Sequence, residues 1–148
     1  MSKLNVDQKA IIDLLSDKKA DFLIPDYQRP YAWSEEQCQT LWDDIFLFSF
    51  PDNNYEAFDD NEEYFLGSIV TYKNKNGKSE VIDGQQRLTT LMLILRAFYD
   101  KFENMKDKNS ILTRDRIEKC IWKTDTFGTA DKNTLKIDSE VATDNDKD

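Results

Sequence analysis

The sequence contains no histidine. That absence removes Ser-His and Cys-His nucleophilic pairs, histidine-ligated zinc and histidine-based metal nucleases, so any chemistry must rest on carboxylates, Arg, Lys or Tyr. Only two cysteines occur, Cys38 and Cys120, each on an apolar-patterned segment with no neighbouring cysteine; they read as two reduced core thiols and suggest no metal site. Positive charge is in deficit, with 20 Lys and Arg against 29 Asp and Glu and a net charge of −9. Lys and Arg normally supply most of the non-specific affinity for duplex DNA, so this balance opposes DNA binding unless a local basic cleft overcomes it. No apolar run approaches the roughly 20 residues of a membrane span, and the polar start has no signal-peptide core; no membrane association and a cytoplasmic location are expected.

Against these absences stand 39% apolar residues, including nine Phe, six Tyr and three Trp, which is enough for a packed core. At 148 residues the chain makes one domain or the greater part of one, and it needs no staples to fold.

Leu4, Ile11, Ile12, Leu14 and Leu15 have roughly helical spacing and predict a short amphipathic helix over 5–17. Asp21 to Pro25 reads as a brief strand, followed by a loop from Asp26 to Trp33. Ser34-Glu35-Glu36-Gln37 is a capping box, and Cys38, Leu41, Trp42, Ile45, Phe48 and Ser49 then share one helical face, with Asp43 and Asp44 opposite in water. Pro51 ends that helix, and 52–63, rich in acids and asparagine without a Lys or Arg, is an exposed loop. Tyr64 to Tyr72 reads as a mostly buried strand, turned by Asn74-Lys75-Asn76-Gly77 into Lys78 to Asp83, an antiparallel hairpin. From Gln85, Leu88, Leu91, Met92, Leu95, Phe98, Tyr99 and Phe102 form the stripe of a central helix, widened by Leu93, Ile94 and Ala97. Thr113 to Trp122 predicts a short helix and Thr134 to Ile137 a strand. The acidic last eleven residues suggest the front of a longer chain.

Two strings carry chemistry. In Val81-Ile82-Asp83-Gly84-Gln85-Gln86-Arg87-Leu88-Thr89-Thr90 a strand runs straight into a helix, whose first N–H groups favour an anion that Arg87 could grip bidentately. Asp83 followed three residues later by Gln86 is also an ordinary capping box, though capping needs neither consecutive glutamines nor the arginine. The second string, Ile24 to Trp33, holds Gln28 and Arg29 in a proline-stiffened loop among Tyr27, Tyr31 and Trp33, suited either to cation–π packing or to a second grip on a polyphosphate. Gly67 and Ser68 interrupt an apolar segment and imply either close approach of a ligand or a bulge.

Three strings in order, Ile24 to Trp33, Tyr64 to Val70 and Val81 to Leu91, resemble the amino-terminal domain of GmrSD-type modification-dependent restriction enzymes over roughly residues 5–105, leaving 106–148 as the start of a following helical or irregular region. The resemblance implies an α+β fold, a small mixed or antiparallel sheet with packed helices in the ParB and sulfiredoxin manner. It also implies that the D-G-Q-Q-R string binds and helps hydrolyse a nucleoside triphosphate with magnesium. On that resemblance Asp83 orients water or hydrated magnesium and is the metal ligand, while Arg87 stabilises charge on the terminal phosphate. Gln85 and Gln86 bond phosphate or base, Gly84 lets the backbone approach the ligand, and Gln28 and Arg29 form the opposite wall; Gly67 and Ser68 join the nucleotide-binding set on their interruption of the apolar segment and not on the resemblance. The nuclease is expected on a carboxyl-terminal or partner domain, with DNA engaged only by the full assembly. The alternative is a ParB-like DNA-binding or protein-interaction adaptor without nucleotide turnover; a sulfiredoxin-type activity is disfavoured because neither Cys38 nor Cys120 falls in the matched strings.

Overall fold

A computed structural model describes residues 5–59 and 61–140; Leu4 and residues 141–148 lie outside the described set. Four helices, α1 (Ile11–Ser16), α2 (Glu35–Ser49), α3 (Gln85–Phe102) and α4 (Lys108–Ile121), pack with six strands, β1 (Phe22–Ile24), β2 (Val70–Lys73), β3 (Ser79–Asp83), β4 (Trp122–Thr124), β5 (Ala130–Leu135) and β6 (Ile137–Ser139). The architecture is α+β, as expected. Its main sheet is mixed, in the order β2-β3-β1-β6: β2 and β3 are antiparallel, whereas β1 runs parallel to both β3 and β6. Strands β4 and β5 form a separate antiparallel pair.

The core has two connected parts. Leu15, Phe22, Ile24, Val81, Leu88 and Cys120 form one, and Tyr99, Ile117, Ile121 and Trp122 the other, with Met92 and Leu95 of α3 packed against both. Burying each large apolar side chain contributes about 1.5–3 kcal/mol, so the α3 stripe joins the sheet to α4. The stripe is narrower than its sequence suggests: Leu93 and Ala97 face solvent. Both thiols are free, Cys120 buried and Cys38 half-buried.

Several predicted elements appear where expected. Ser34 accepts from the Gln37 backbone N–H at 3.2 Å and the Gln37 side chain accepts in return from the Ser34 N–H at 2.9 Å, which starts α2. In the β2–β3 turn Gly77 has φ +80 and the Asn74 side chain accepts from the N–H groups of Asn76 and Lys78.

Others differ. Helix α1 begins only at Ile11, because Ala10 offers no side-chain cap. The buried strand over 64–72 is not formed: β2 starts at Val70, all four of its residues are exposed, and 64–69 is irregular. Gly67, at φ +116, breaks the extended geometry, and Tyr64 turns to α2, its ring centroid 5.7 Å from that of Phe48. The register shifts between Val70 and Thr71, which pair with Asp83 and Val81 and leave Ile82 of β3 as the extra residue, so the irregularity lies on β3 and not at Gly67 and Ser68. Helix α4 begins earlier than expected, since Asp107 caps it by accepting from the Ser110 N–H.

The strand expected at 134–137 is two strands in two sheets, separated by Lys136. That lysine is fully buried and donates to the carbonyls of Leu15 at 2.6 Å and Asp17 at 3.0 Å, closing the end of α1. Residues 106–140 therefore belong to the same core, through α4 against α1 and α3 and through β6 against β1. No helix among the described residues is long and apolar enough to cross a membrane.

Candidate functional site

The sheet delivers Asp83, the last residue of β3, to the start of α3. A capping box at Asp83 and Gln86 does not form. The cap falls one residue later, on Gly84, which adopts a left-handed backbone (φ 90, ψ 9) and has no side chain with which to cover the first turn. The first N–H groups of α3 consequently have no side-chain acceptor, and the positive end of the helix dipole is open. The requirement for glycine at position 84 comes from the protein's own backbone: a Cβ there would stand 2.8 Å from the Ser68 carbonyl oxygen.

Gln86 is used by the fold. Its side-chain oxygen accepts from the Ala32 N–H at 2.8 Å and its amide nitrogen donates to the Pro30 carbonyl at 3.1 Å, which docks the 26–33 loop onto α3. Tyr31 makes the second attachment. Because the Thr90 hydroxyl donates to the Gln86 carbonyl at 2.8 Å, the Tyr31 hydroxyl is the donor in its 2.9 Å bond to Thr90 and can accept from Cys38, 3.3 Å away. Burial, followed by the Cys38 contact, raises the Tyr31 pKa above the ordinary tyrosine value. Cation–π packing of Arg29 is not formed among the described residues, whose cation–π pairs join Arg96 and Lys132 to Tyr99 and Trp122.

The docked loop and the helix start enclose a cleft of about 310 Å³ lined by Arg29, Trp33, Ser68, Asp83, Gly84, Gln85, Gln86 and Arg87. Seven of the expected site residues thus meet in one place. Gln28 is half-buried and its N–H donates to the Pro25 carbonyl; it is not among the lining residues. Gly67 supports the cleft from behind Arg87, for a Cβ at this glycine would collide with the guanidinium. Trp33 was missed as a lining residue, and its position at the end of the arginine-bearing loop was the available signal.

Neither Arg29 nor Arg87 has an ion pair among the described residues, and the same holds for Asp83. No cluster of three or more Cys, Asp or Glu suited to a metal occurs among them. A second cleft, of about 350 Å³, shares Trp33 and Arg87 with the first and extends along α2 to Asp44 and Tyr64. Asp44, exposed as expected, accepts from the Tyr64 hydroxyl at 3.1 Å. Burial and this bond raise the Tyr64 pKa, and Arg87 acts against the rise, placing all three groups in one electrostatic neighbourhood.

The fold and site define a class: an α+β domain with an uncapped helix start flanked by two arginines. Residues 11–148 match the family described as the GmrSD restriction endonuclease N-terminal domain, and the chain belongs to that family. It is accordingly part of a restriction endonuclease system, in which such a domain accompanies a nuclease domain. The match includes α4 and β4–β6, beyond residues 5–105, over which the strings alone carry the resemblance. No curated protein matches the chain.

Proposed function

We propose that this domain binds a nucleoside triphosphate with magnesium in the cleft between Arg29 and Arg87, and hydrolyses it to regulate a nuclease carried on another domain. The observation that carries the reading is electrostatic. In a chain of net charge −9, two guanidiniums and an open helix start share a cleft without an anionic partner for either arginine among the described residues. A polyphosphate supplies that missing charge, and each charge-assisted hydrogen bond to it contributes about 1.5–3 kcal/mol.

Each residue then has a task. The N–H groups opening α3 and the Arg87 side chain hold the terminal phosphates, Arg29 closes the opposite wall, and Gln85 donates to phosphate. Gln86 positions the Arg29 loop instead of contacting the ligand. Asp83 orients the attacking water. A single carboxylate fits magnesium, which keeps several waters and takes other oxygens from the phosphates; the ion would supply neutralisation of phosphate charge.

Calorimetric titration of magnesium with each nucleoside triphosphate tests this. Arg87→Ala should weaken binding about ten-fold or more, and Asp83→Ala should abolish phosphate release while sparing most of the affinity. Undiminished binding by Arg87→Ala overturns the placement. One observation favours a second reading, an adaptor without turnover: the protein's own packing accounts for both Gly84 and Gln86. Under it, Arg29→Ala and Arg87→Ala lose DNA or partner binding and keep their nucleotide affinity.

A further inference from the structure

The cavity along α2 is unused by the phosphate reading. Glu36, Gln37, Thr40, Leu41 and Asp44 recur at three- and four-residue spacing and make one wall, while Tyr64 and Leu66 make another; Trp33 and Arg87 form the border with the phosphate cleft. Its polar groups are not equally free. The Gln37 side chain is committed to capping Ser34 and the Thr40 hydroxyl donates to the Glu36 carbonyl. Tyr64, by donating to one oxygen of Asp44, holds that carboxylate in the wall and leaves its second oxygen open.

We infer that this cavity is the nucleoside subsite of the triphosphate site, that it takes guanine, and that Asp44 reads the base. The inference rests on the function proposed above. An ionised carboxylate only accepts hydrogen bonds. Guanine presents two adjacent donors, the N1–H and the 2-amino group, to such an acceptor. Adenine and cytosine place a ring-nitrogen lone pair beside their amino group, and uracil flanks its one N–H with carbonyls, so each brings a lone pair against the carboxylate. The wall therefore rejects three bases by repulsion as well as favouring one by attraction. Trp33, at the border, offers a flat apolar surface where the base or ribose must pass from one cleft to the other. Both clefts lie in the size range of small-molecule sites.

Calorimetry on the 148-residue chain with magnesium decides the matter, using tripolyphosphate, GTP, ATP and inosine triphosphate. Tripolyphosphate carries no base and reports the phosphate contacts alone. GTP should bind about ten-fold or more tighter than ATP, and inosine triphosphate, which lacks the 2-amino group, should fall between them. Asp44→Asn should bring GTP to within about three-fold of ATP, and Tyr64→Phe, which frees the Asp44 carboxylate without removing it, should reduce the preference partly. Tripolyphosphate binding with no discrimination among the triphosphates overturns the nucleoside subsite and leaves the phosphate reading standing. A GTP preference that survives Asp44→Asn overturns the role of Asp44. Failure of a folded sample to bind any of the four overturns both readings.

Discussion

Gln86→Ala separates an amide that grips a ligand from one that holds a loop. Two hydrogen bonds are lost, to the Ala32 N–H and the Pro30 carbonyl, both at exposed positions. Each contributes toward the lower end of about 0.5–1.5 kcal/mol, so the variant should lose about 1–2 kcal/mol in urea unfolding with an unchanged slope. The Tyr31 attachment to Thr90 remains, and the loop should loosen at one end without detaching. Amide hydrogen exchange reads this directly: the Ala32 N–H should exchange about ten-fold faster in the variant, while Val81 in the sheet keeps its protection. Equal Ala32 exchange in the two proteins, together with stabilities within about 0.5 kcal/mol, would refute the clamp.

Gly84→Ala should cost about 2 kcal/mol or more, since alanine must take φ +90 and its Cβ must push the Ser68 carbonyl away; an unchanged melting temperature would contradict this. Burial lowers the Lys136 pKa below its ordinary 10.5, so the unfolded chain binds that proton more tightly. Stability from this group therefore rises with pH between the lowered value and 10.5. Urea unfolding over an alkaline series should show the wild type gaining on Lys136→Met as pH rises, and parallel curves would show that Lys136 does not titrate differently on folding.

Local signals were legible wherever a single segment satisfied its own backbone. The Ser34 and Gln37 box, the Asn74 to Gly77 turn and the α3 stripe each needed no distant partner to form. The motif residues of the site were readable for the same reason, since Asp83 to Arg87 are consecutive. What stayed hidden depended on tertiary placement. Apolar character at 64–72 looked like sheet burial, yet the Tyr64 ring packs against Phe48 of α2 and Val70 lies on an exposed edge. The split at Lys136 could not be read locally, because its partners Leu15 and Asp17 are at the other end of the chain. Asp83 lost its capping role to the left-handed Gly84, a position where a Cβ would stand against the Ser68 backbone.

The position of β1 governs how this molecule is born. Its two neighbours in the sheet are β3 and β6, and the buried Lys136 reaches across 121 residues of sequence to the end of α1. Closure over such separations is slow relative to helix formation, because loop entropy is lost before the contacts form. On a ribosome, which makes a chain from its amino terminus, Leu15 and the β1 edge must wait until residue 139 has emerged before the sheet is complete. The arginine loop hangs from that strand, but its other attachments, to Gln86 and Thr90 of α3, come from residues made well before β6. A nascent chain thus holds every residue of the cleft, and the α3 contacts of its loop, before it holds the strand that closes the far edge of the sheet.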